Sequence, residues 1–181
     1  MHPFEFVTVL VSIIVGLGIA VLLEGLARVL RGELEGYWVH LVWALAAFLL
    51  LVQNFWSLFV AADRTSWTLL NLSNLLVAPM LIFLFAAILF PGAGSERRLR
   101  DHYYDRRRSL FAVLSLLFLY FNLENPGFTF ADLSQFVPLT IAVALLFTDR
   151  PRVHEILAVV FVVGAAISIG IFSFRLGQNL F

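Results

Sequence analysis

The sequence contains no cysteine and no lysine, and few of its residues carry charge. All twelve basic residues are arginine, twelve acidic residues balance them, and charged residues make up only 13% of the 181 positions. Without cysteine, the chain has no disulfide framework, thiol nucleophile, iron–sulfur cluster or zinc–thiolate site. Soluble domains are about 25% charged, so the scarcity of charge excludes an ordinary water-soluble domain.

Sequence patterns of common active sites are also missing. The chain has no HExxH, GxSxG, Walker or GxGxxG pattern. We therefore expect a protein that is not an enzyme. Nucleic-acid binding is not expected either, because the Arg-rich stretch 95–108 is interleaved with Asp and lies beside a long apolar segment.

Apolar residues dominate what is present. They make up 61% of the chain, and the mean hydropathy is +0.95. A helix that crosses a membrane needs roughly 20 mostly apolar residues. The sequence therefore predicts an all-α integral membrane protein, a single compact bundle (1–181) of six transmembrane helices over 4–30, 37–62, 68–90, 109–123, 130–147 and 153–174. The fourth span is short, and we expect it to belong to a longer helix that begins near Ser95.

The arginines predict how the bundle is oriented. Ten of them fall in or beside the connections that follow spans one, three and five, whereas only Arg64 and Arg175 fall on the other face. Positively charged connections stay in the cytoplasm. We therefore predict that both termini lie outside and that the protein is a multi-pass protein of the plasma (inner) membrane.

Polar residues near the outer ends of the spans form a first candidate site. Polar groups in the hydrocarbon are costly and usually face the protein interior. We predict an outward-facing polar vestibule, able to admit an ion or small solute, from Gln53, Asn54, Asn71, Asn74, Asp132 and Gln135. The alternative is that these side chains link one helix to another.

A second group of polar residues lies near the inner ends: Glu24, Arg28, His40, His154 and Glu155. Glu24 and Arg28 are four residues apart and can form a salt bridge on one helix. Alternatively, the two histidines relay protons with Glu24, since imidazole titrates near neutral pH. Haem ligation by His40 and His154 is the least favoured alternative, and we predict no cofactor and no metal.

Small residues and the Arg-rich segment suggest partners. Gly18, Gly25 and Gly32 recur every seven residues in and after span one, and span six is also rich in small residues. Such seams pack helices closely, inside one monomer or between subunits, and we expect a homo-oligomer, most simply a dimer. The segment 95–108 is expected to contact anionic lipid headgroups, or a protein partner, through Arg97, Arg98, Arg100, Arg106, Arg107 and Arg108.

These features lead to two hypotheses about function. The first is a small oligomeric channel or transporter-like protein that passes an ion or small solute by way of the outer vestibule. The second is a non-catalytic accessory or sensor subunit that binds lipid or a partner through its Arg-rich cytoplasmic loop. In the second case the polar residues pair helix to helix and leave no continuous cavity.

Overall fold

The computed structural model describes residues 3–58, 68–92, 98–124 and 136–178, and it describes side chains from residue 4 to residue 167 within those ranges. The described residues form six helices: α1 (Pro3–Leu30), α2 (Trp38–Ser57), α3 (Leu69–Leu89), α4 (Leu99–Glu124), α5 (Phe136–Phe147) and α6 (Pro151–Gln178). The all-helical architecture predicted from the sequence is confirmed for this part of the chain. Within it, three helices are long and apolar enough to cross a membrane: Phe4–Leu30, Trp38–Ser57 and Leu69–Leu89.

Local sequence explains where α1 ends and α3 begins. Gly32 has a φ of +74°, a left-handed conformation that glycine adopts without steric cost. There, the amide of Gly32 bonds to the carbonyl of Val29, and that of Glu33 bonds to the carbonyl of Arg28, which closes the last turn of α1. Thr68 caps α3, since its hydroxyl accepts a hydrogen bond from the amide of Asn71 at 3.2 Å.

Helices α4 and α5 differ in length from the predicted spans. The fourth span lies within a longer helix, as predicted, but that helix begins at Leu99. The backbone amide of Leu99 donates a hydrogen bond to the carbonyl of Glu35, which fixes the start of the helix. Helix α5 has twelve residues, or about 18 Å of rise, and the first part of the predicted fifth span, 130–135, lies outside the described residues.

Helices α2 and α3 occupy the middle of the bundle. Helix α3 packs against α1, α2 and α4, while α2 also contacts α4 and α6, and α5 packs between α4 and α6. Gly18 allows Leu51 of α2 to approach α1, and Gly25 lies against the Phe90 ring. Both glycines therefore mediate close packing inside the monomer. Gly16 differs, because a Cβ added there meets no heavy atom within 4 Å.

The outer surface of the bundle is apolar on most of its described helices. Large side chains such as Ile13, Leu17, Leu84, Leu116 and Val163 are exposed in the isolated chain. Soluble monomers rarely expose continuous apolar surface of this extent, whereas helices in a bilayer present such side chains to lipid. The exposed surface is consistent with a helical membrane protein.

Candidate functional sites at the two ends of the bundle

The two ends of the bundle differ in composition. Contacts join the last residues of α1 and α3 to the first residues of α2, α4 and α6. We call this the Arg-rich end, since it contains the described arginines of the connections, Arg28, Arg31, Arg98, Arg100, Arg106, Arg107, Arg108, Arg150 and Arg152. At the opposite end, Asn74 of α3 donates a hydrogen bond to Glu124 of α4 at 2.7 Å.

A cluster of histidine and tyrosine side chains fills the Arg-rich end. Three of the four histidines and three of the four tyrosines of the chain meet there. This histidine–tyrosine cluster comprises Tyr37, His40, His102, Tyr103, Tyr104 and His154. His40, Tyr103 and His154 are fully buried, so the cluster is part of the protein core rather than a belt of interfacial side chains.

His154 is held by two hydrogen bonds. Its Nε2 lies 3.0 Å from the carbonyl oxygen of Thr148, and its Nδ1 lies 2.8 Å from the hydroxyl of Tyr103. A carbonyl only accepts, so in the neutral ring Nε2 carries the proton and Nδ1 accepts the proton of Tyr103. The pair joins α4 to α6 in one defined orientation.

His40 lies in the same cluster but has no such partners. Neither of its ring nitrogens forms a hydrogen bond among the described residues. Its ring instead meets the edges or faces of aromatic neighbours, with centroid distances of 5.0 Å to Phe90, 6.2 Å to Tyr103 and 6.4 Å to His102. A buried donor or acceptor left unpaired costs about 1–3 kcal/mol, so His40 contributes to the cluster through the packing of its ring rather than through hydrogen bonds to the described residues.

The structure brings together only part of the predicted inner group. His40 and His154 join the cluster with Tyr103 between them, and the half-buried Glu155 interacts electrostatically with Tyr37. The predicted Glu24–Arg28 salt bridge is wrong, because Glu24 pairs with Arg31 at 3.1 Å. Since the Glu24 carboxylate is exposed and held by Arg31, a proton relay among Glu24, His40 and His154 is not assembled.

Arg28 and His102 instead complete the end of α3. The guanidinium of Arg28 donates to the carbonyl of Pro91 at 2.5 Å, and Nε2 of His102 bonds to the carbonyl of Ile88 at 3.0 Å. The last carbonyls of a helix have no partner within the helix. His102 of α4 therefore satisfies a terminal carbonyl of α3, and Arg28 of α1 satisfies a carbonyl just after its end, which ties three helices together.

The cluster does not fit a haem or a metal. Both nitrogens of His154 are hydrogen-bonded, and the Tyr103 ring contacts both His40 and His154. The two histidines therefore do not offer a free nitrogen each to one iron. Across the described ranges, no three His, Asp or Glu side chains are placed to hold a metal ion.

Most of the described arginines of 95–108 are exposed. Arg98 bonds to Glu35 at 3.1 Å but is itself exposed, and the half-buried Arg107 forms an ion pair with Asp149. Arg100, Arg106 and Arg108 are also exposed, whereas Arg97 lies outside the described residues. Four of the six arginines predicted to contact lipid therefore lie on the surface, one of them paired with Glu35.

The connection between α1 and α2 carries an exposed ion pair. Arg31 and Glu33 are 2.5 Å apart. The hydrogen bond from Arg31 lowers the pKa of the Glu33 carboxyl from its ordinary value of 4.5. The same bond raises the pKa of the Arg31 guanidinium.

A cavity of about 530 Å³ opens at the opposite end, between α2, α4, α5 and α6. Its polar side chains all come from α2, and the rest of its wall is apolar. The lining residues are Leu50, Gln53, Asn54, Ser57, Phe118, Phe121, Val137, Pro138, Ile141, Val160, Phe161, Gly164 and Ala165. Ligand sites are of this kind, mostly apolar with a few polar groups, and usually measure about 300–1,000 Å³.

Only part of the predicted vestibule lines this cavity. Gln53 and Asn54 lie in its wall, but Asn71 and Asn74 do not. Asn74 is bonded to Glu124, and its backbone carbonyl accepts a bond from Tyr120 at 2.9 Å. Asn74 thus links one helix to another, as in the alternative interpretation, and Asp132 and Gln135 lie outside the described residues.

A column of aromatic rings connects the cavity to the histidine–tyrosine cluster. Phe161 in the cavity wall lies 4.9 Å from Trp43, which lies 5.2 Å from Phe111, and Phe111 lies 6.1 Å from Tyr103. Trp43 and Phe111 are almost completely buried. The middle of the bundle is therefore closed by packed rings.

Sequence reasoning did not identify Tyr103 as a core residue, and it did not place His102 against the end of α3. Both residues belong to the segment 95–108, which was interpreted through its arginines. The chain matches no protein-family model, and comparisons with curated proteins and with solved structures also find no match.

Proposed function

We propose that the protein is a six-span membrane protein of the plasma (inner) membrane and that it works as a channel or transporter. A solute enters the cavity from the outside and passes across the bilayer. The observation that carries this proposal is the cavity itself, which Gln53 and Asn54 of α2 line. The Arg-rich end is cytoplasmic, in agreement with the positive-inside rule.

The absence of cysteine makes the topology directly testable. Leu69→Cys and Arg152→Cys place single thiols at exposed positions of the opposite end and the Arg-rich end. In intact cells, a membrane-impermeant maleimide should label only Leu69→Cys, and permeabilised cells should show both labels. Labelling of Arg152→Cys from the outside would reverse the orientation.

Flux measurements test the function. Proteoliposomes would be assayed for protons, potassium, chloride and glycerol, with the wild type beside Gly164→Leu and Gly16→Leu. A Cβ at either glycine meets no heavy atom within 4 Å, but only Gly164 lines the cavity. We expect passage of at least one solute, with a reduced rate in Gly164→Leu alone. If nothing passes faster than in protein-free liposomes, the protein does not act as a channel or transporter.

The second candidate is a lipid-binding accessory subunit. It is favoured by the exposure of Arg100, Arg106 and Arg108, since each arginine near an anionic membrane surface contributes about 1 kcal/mol. Changing all three to Gln should reduce the number of anionic lipids retained in native mass spectra. Unchanged retention would remove this candidate.

Cross-linking in the membrane, with a dimer as the expected product, tests the proposed homo-oligomer.

A further inference from the structure

The wall of the cavity defines the chemistry of a ligand. Among the described residues that line it, none is charged, and the three polar side chains, Gln53, Asn54 and Ser57, come from neighbouring turns of one helix. An ion buried there would find no counter-charge, and an unpaired buried charge is strongly unfavourable. An uncharged molecule incurs no such cost, so the wall selects against ions.

The polar side chains of the described lining lie on one wall of the cavity. A matching ligand therefore has its polar groups on one side only. The hydroxyl of Ser57 already donates to the carbonyl of Asn54 at 2.7 Å. The carboxamides of Gln53 and Asn54 supply both donors and acceptors toward the cavity. Phe118 and Phe161 form apolar walls. A molecule that matches this surface has a hydrogen-bonding head and an apolar body.

The size of the cavity limits the length of that body. At about 30 Å³ for each water-sized group, 530 Å³ holds about 17 non-hydrogen atoms. Gly164 contributes to this space, since a Cβ there meets no heavy atom within 4 Å. The cavity is therefore large enough for one short alkyl chain and too small for a whole two-chain phospholipid.

We propose that this cavity binds one uncharged, single-chain amphiphile from the outer leaflet, with its polar head at Gln53 and Asn54 and its apolar body against Phe118 and Phe161. The inference rests on the proposed function, because it names the class of molecule that the same cavity accepts. It goes further, since it excludes inorganic ions as the preferred ligand.

Native mass spectrometry of the full-length protein in detergent tests the proposal. Monodecanoylglycerol, decanoate and decyltrimethylammonium have similar chains with a neutral, an anionic and a cationic head. We expect a one-to-one adduct with monodecanoylglycerol that is at least about tenfold tighter than either ionic adduct, or roughly 1.4 kcal/mol. Equal or tighter binding of either ion would overturn the proposal.

Variants locate the adduct in the cavity. Gly164→Leu should weaken the monodecanoylglycerol adduct by about tenfold or more, and Gly16→Leu, which adds the same side chain on α1 outside the cavity, should leave it unchanged. Asn54→Leu should weaken it about fivefold, the effect of one lost hydrogen bond of about 1 kcal/mol. An adduct that persists in both Gly164→Leu and Asn54→Leu would lie on the lipid-facing surface and contradict the proposal.

The two proposals can fail separately. If Gly164→Leu abolishes glycerol or potassium flux but monodecanoylglycerol does not bind, the ligand class is wrong while the transport function stands. If the adduct forms and Gly164→Leu weakens it, yet no solute crosses proteoliposomes, the cavity is a binding site and the transport function is wrong.

Discussion

The two ends of the bundle use their polar side chains in opposite ways. At the Arg-rich end, Arg28 and His102 bond to carbonyls at and just after the end of α3, and the fully buried Tyr103 donates a hydrogen bond to the fully buried His154. At the opposite end, Gln53 and Asn54 face a cavity of about 530 Å³. The polar side chains of the Arg-rich end therefore bond one helix to another, whereas Gln53 and Asn54 line a cavity. Asn74, which also lies at the opposite end, bonds to Glu124 instead.

This difference predicts that the two ends tolerate substitution unequally. Closely packed interiors respond to the loss of even small groups, whereas a cavity wall already lacks contacts on one side. The first two predictions compare a closely packed residue with one whose surroundings are open, and the later ones compare polar groups with and without a hydrogen-bond partner or with an exposed partner.

The largest expected effect is at Trp43, which is 1% exposed and packs against Phe111 and Phe161. Trp43→Ala should lower the free energy of unfolding by about 3–5 kcal/mol. Phe121→Ala, in the cavity wall, should cost less than about 2 kcal/mol because fewer contacts are lost. Reversible unfolding in mixed micelles, followed by circular dichroism, measures both. Equal losses would show that the two regions are packed equally well.

The next effect concerns the glycines of α1. A Cβ at Gly25 would overlap the ring of Phe90, which is itself buried. Gly25→Leu should therefore destabilise the fold by about 1–3 kcal/mol through overpacking. Gly16→Leu, with open space around its Cβ, should leave unfolding within about 0.5 kcal/mol of the wild type. A large loss in Gly16→Leu would instead indicate that a second subunit covers that face.

A third comparison separates two histidines of the same cluster. Tyr103→Phe removes the partner of His154 Nδ1 and leaves that nitrogen buried and unpaired, which should cost about 1–3 kcal/mol. His40→Leu removes a ring whose nitrogens have no partner among the described residues, so stability should be unchanged or increased. Comparing their unfolding curves with that of the wild type measures both effects. If His40→Leu is as destabilising as Tyr103→Phe, the His40 ring has a polar partner after all.

Much of the helical framework could be predicted from the sequence. Apolar runs of sufficient length indicated the positions of all six helices. Gly32 and Thr68 mark helix ends through their own backbone conformation and capping hydrogen bond, which depend little on the packing of other helices. The extension of α4 beyond its apolar part was also predictable, since charged residues do not interrupt a helix that leaves the membrane.

The partners of polar side chains could not be predicted in the same way. Glu24 and Arg28 have ideal spacing for a pair on one helix, but Arg28 meets unpaired carbonyls 63 residues away, and Glu24 meets Arg31. Such partners depend on how helices are placed in three dimensions. The cavity is likewise a property of four helices together, although its polar residues Gln53 and Asn54 were identified from depth alone.

The smallest expected effect concerns the exposed pair of Arg31 and Glu33. The pKa of Glu33 is lower in the folded protein than its ordinary value of 4.5 because Arg31 hydrogen-bonds to the ionised form. A lowered folded-state pKa means that the pair stabilises the fold above pH 4.5 and that this contribution is lost as the pH falls through the folded value. Near neutral pH, Glu33→Gln should therefore be slightly less stable than the wild type.

Varying pH and salt together tests whether Glu33 stabilises the fold through exposed Arg31 or through the less exposed Arg28. Unfolding curves of the wild type and Glu33→Gln should converge at low pH, where Glu33 is protonated in both states. They should also converge near neutral pH in 1 M salt, because charges are then screened over about 3 Å and both side chains are about half exposed. A difference that persists in high salt would mean that Glu33 acts through its contact with the less exposed Arg28, and thus through the end of α3. The closely packed Arg-rich end would then include the connection between α1 and α2.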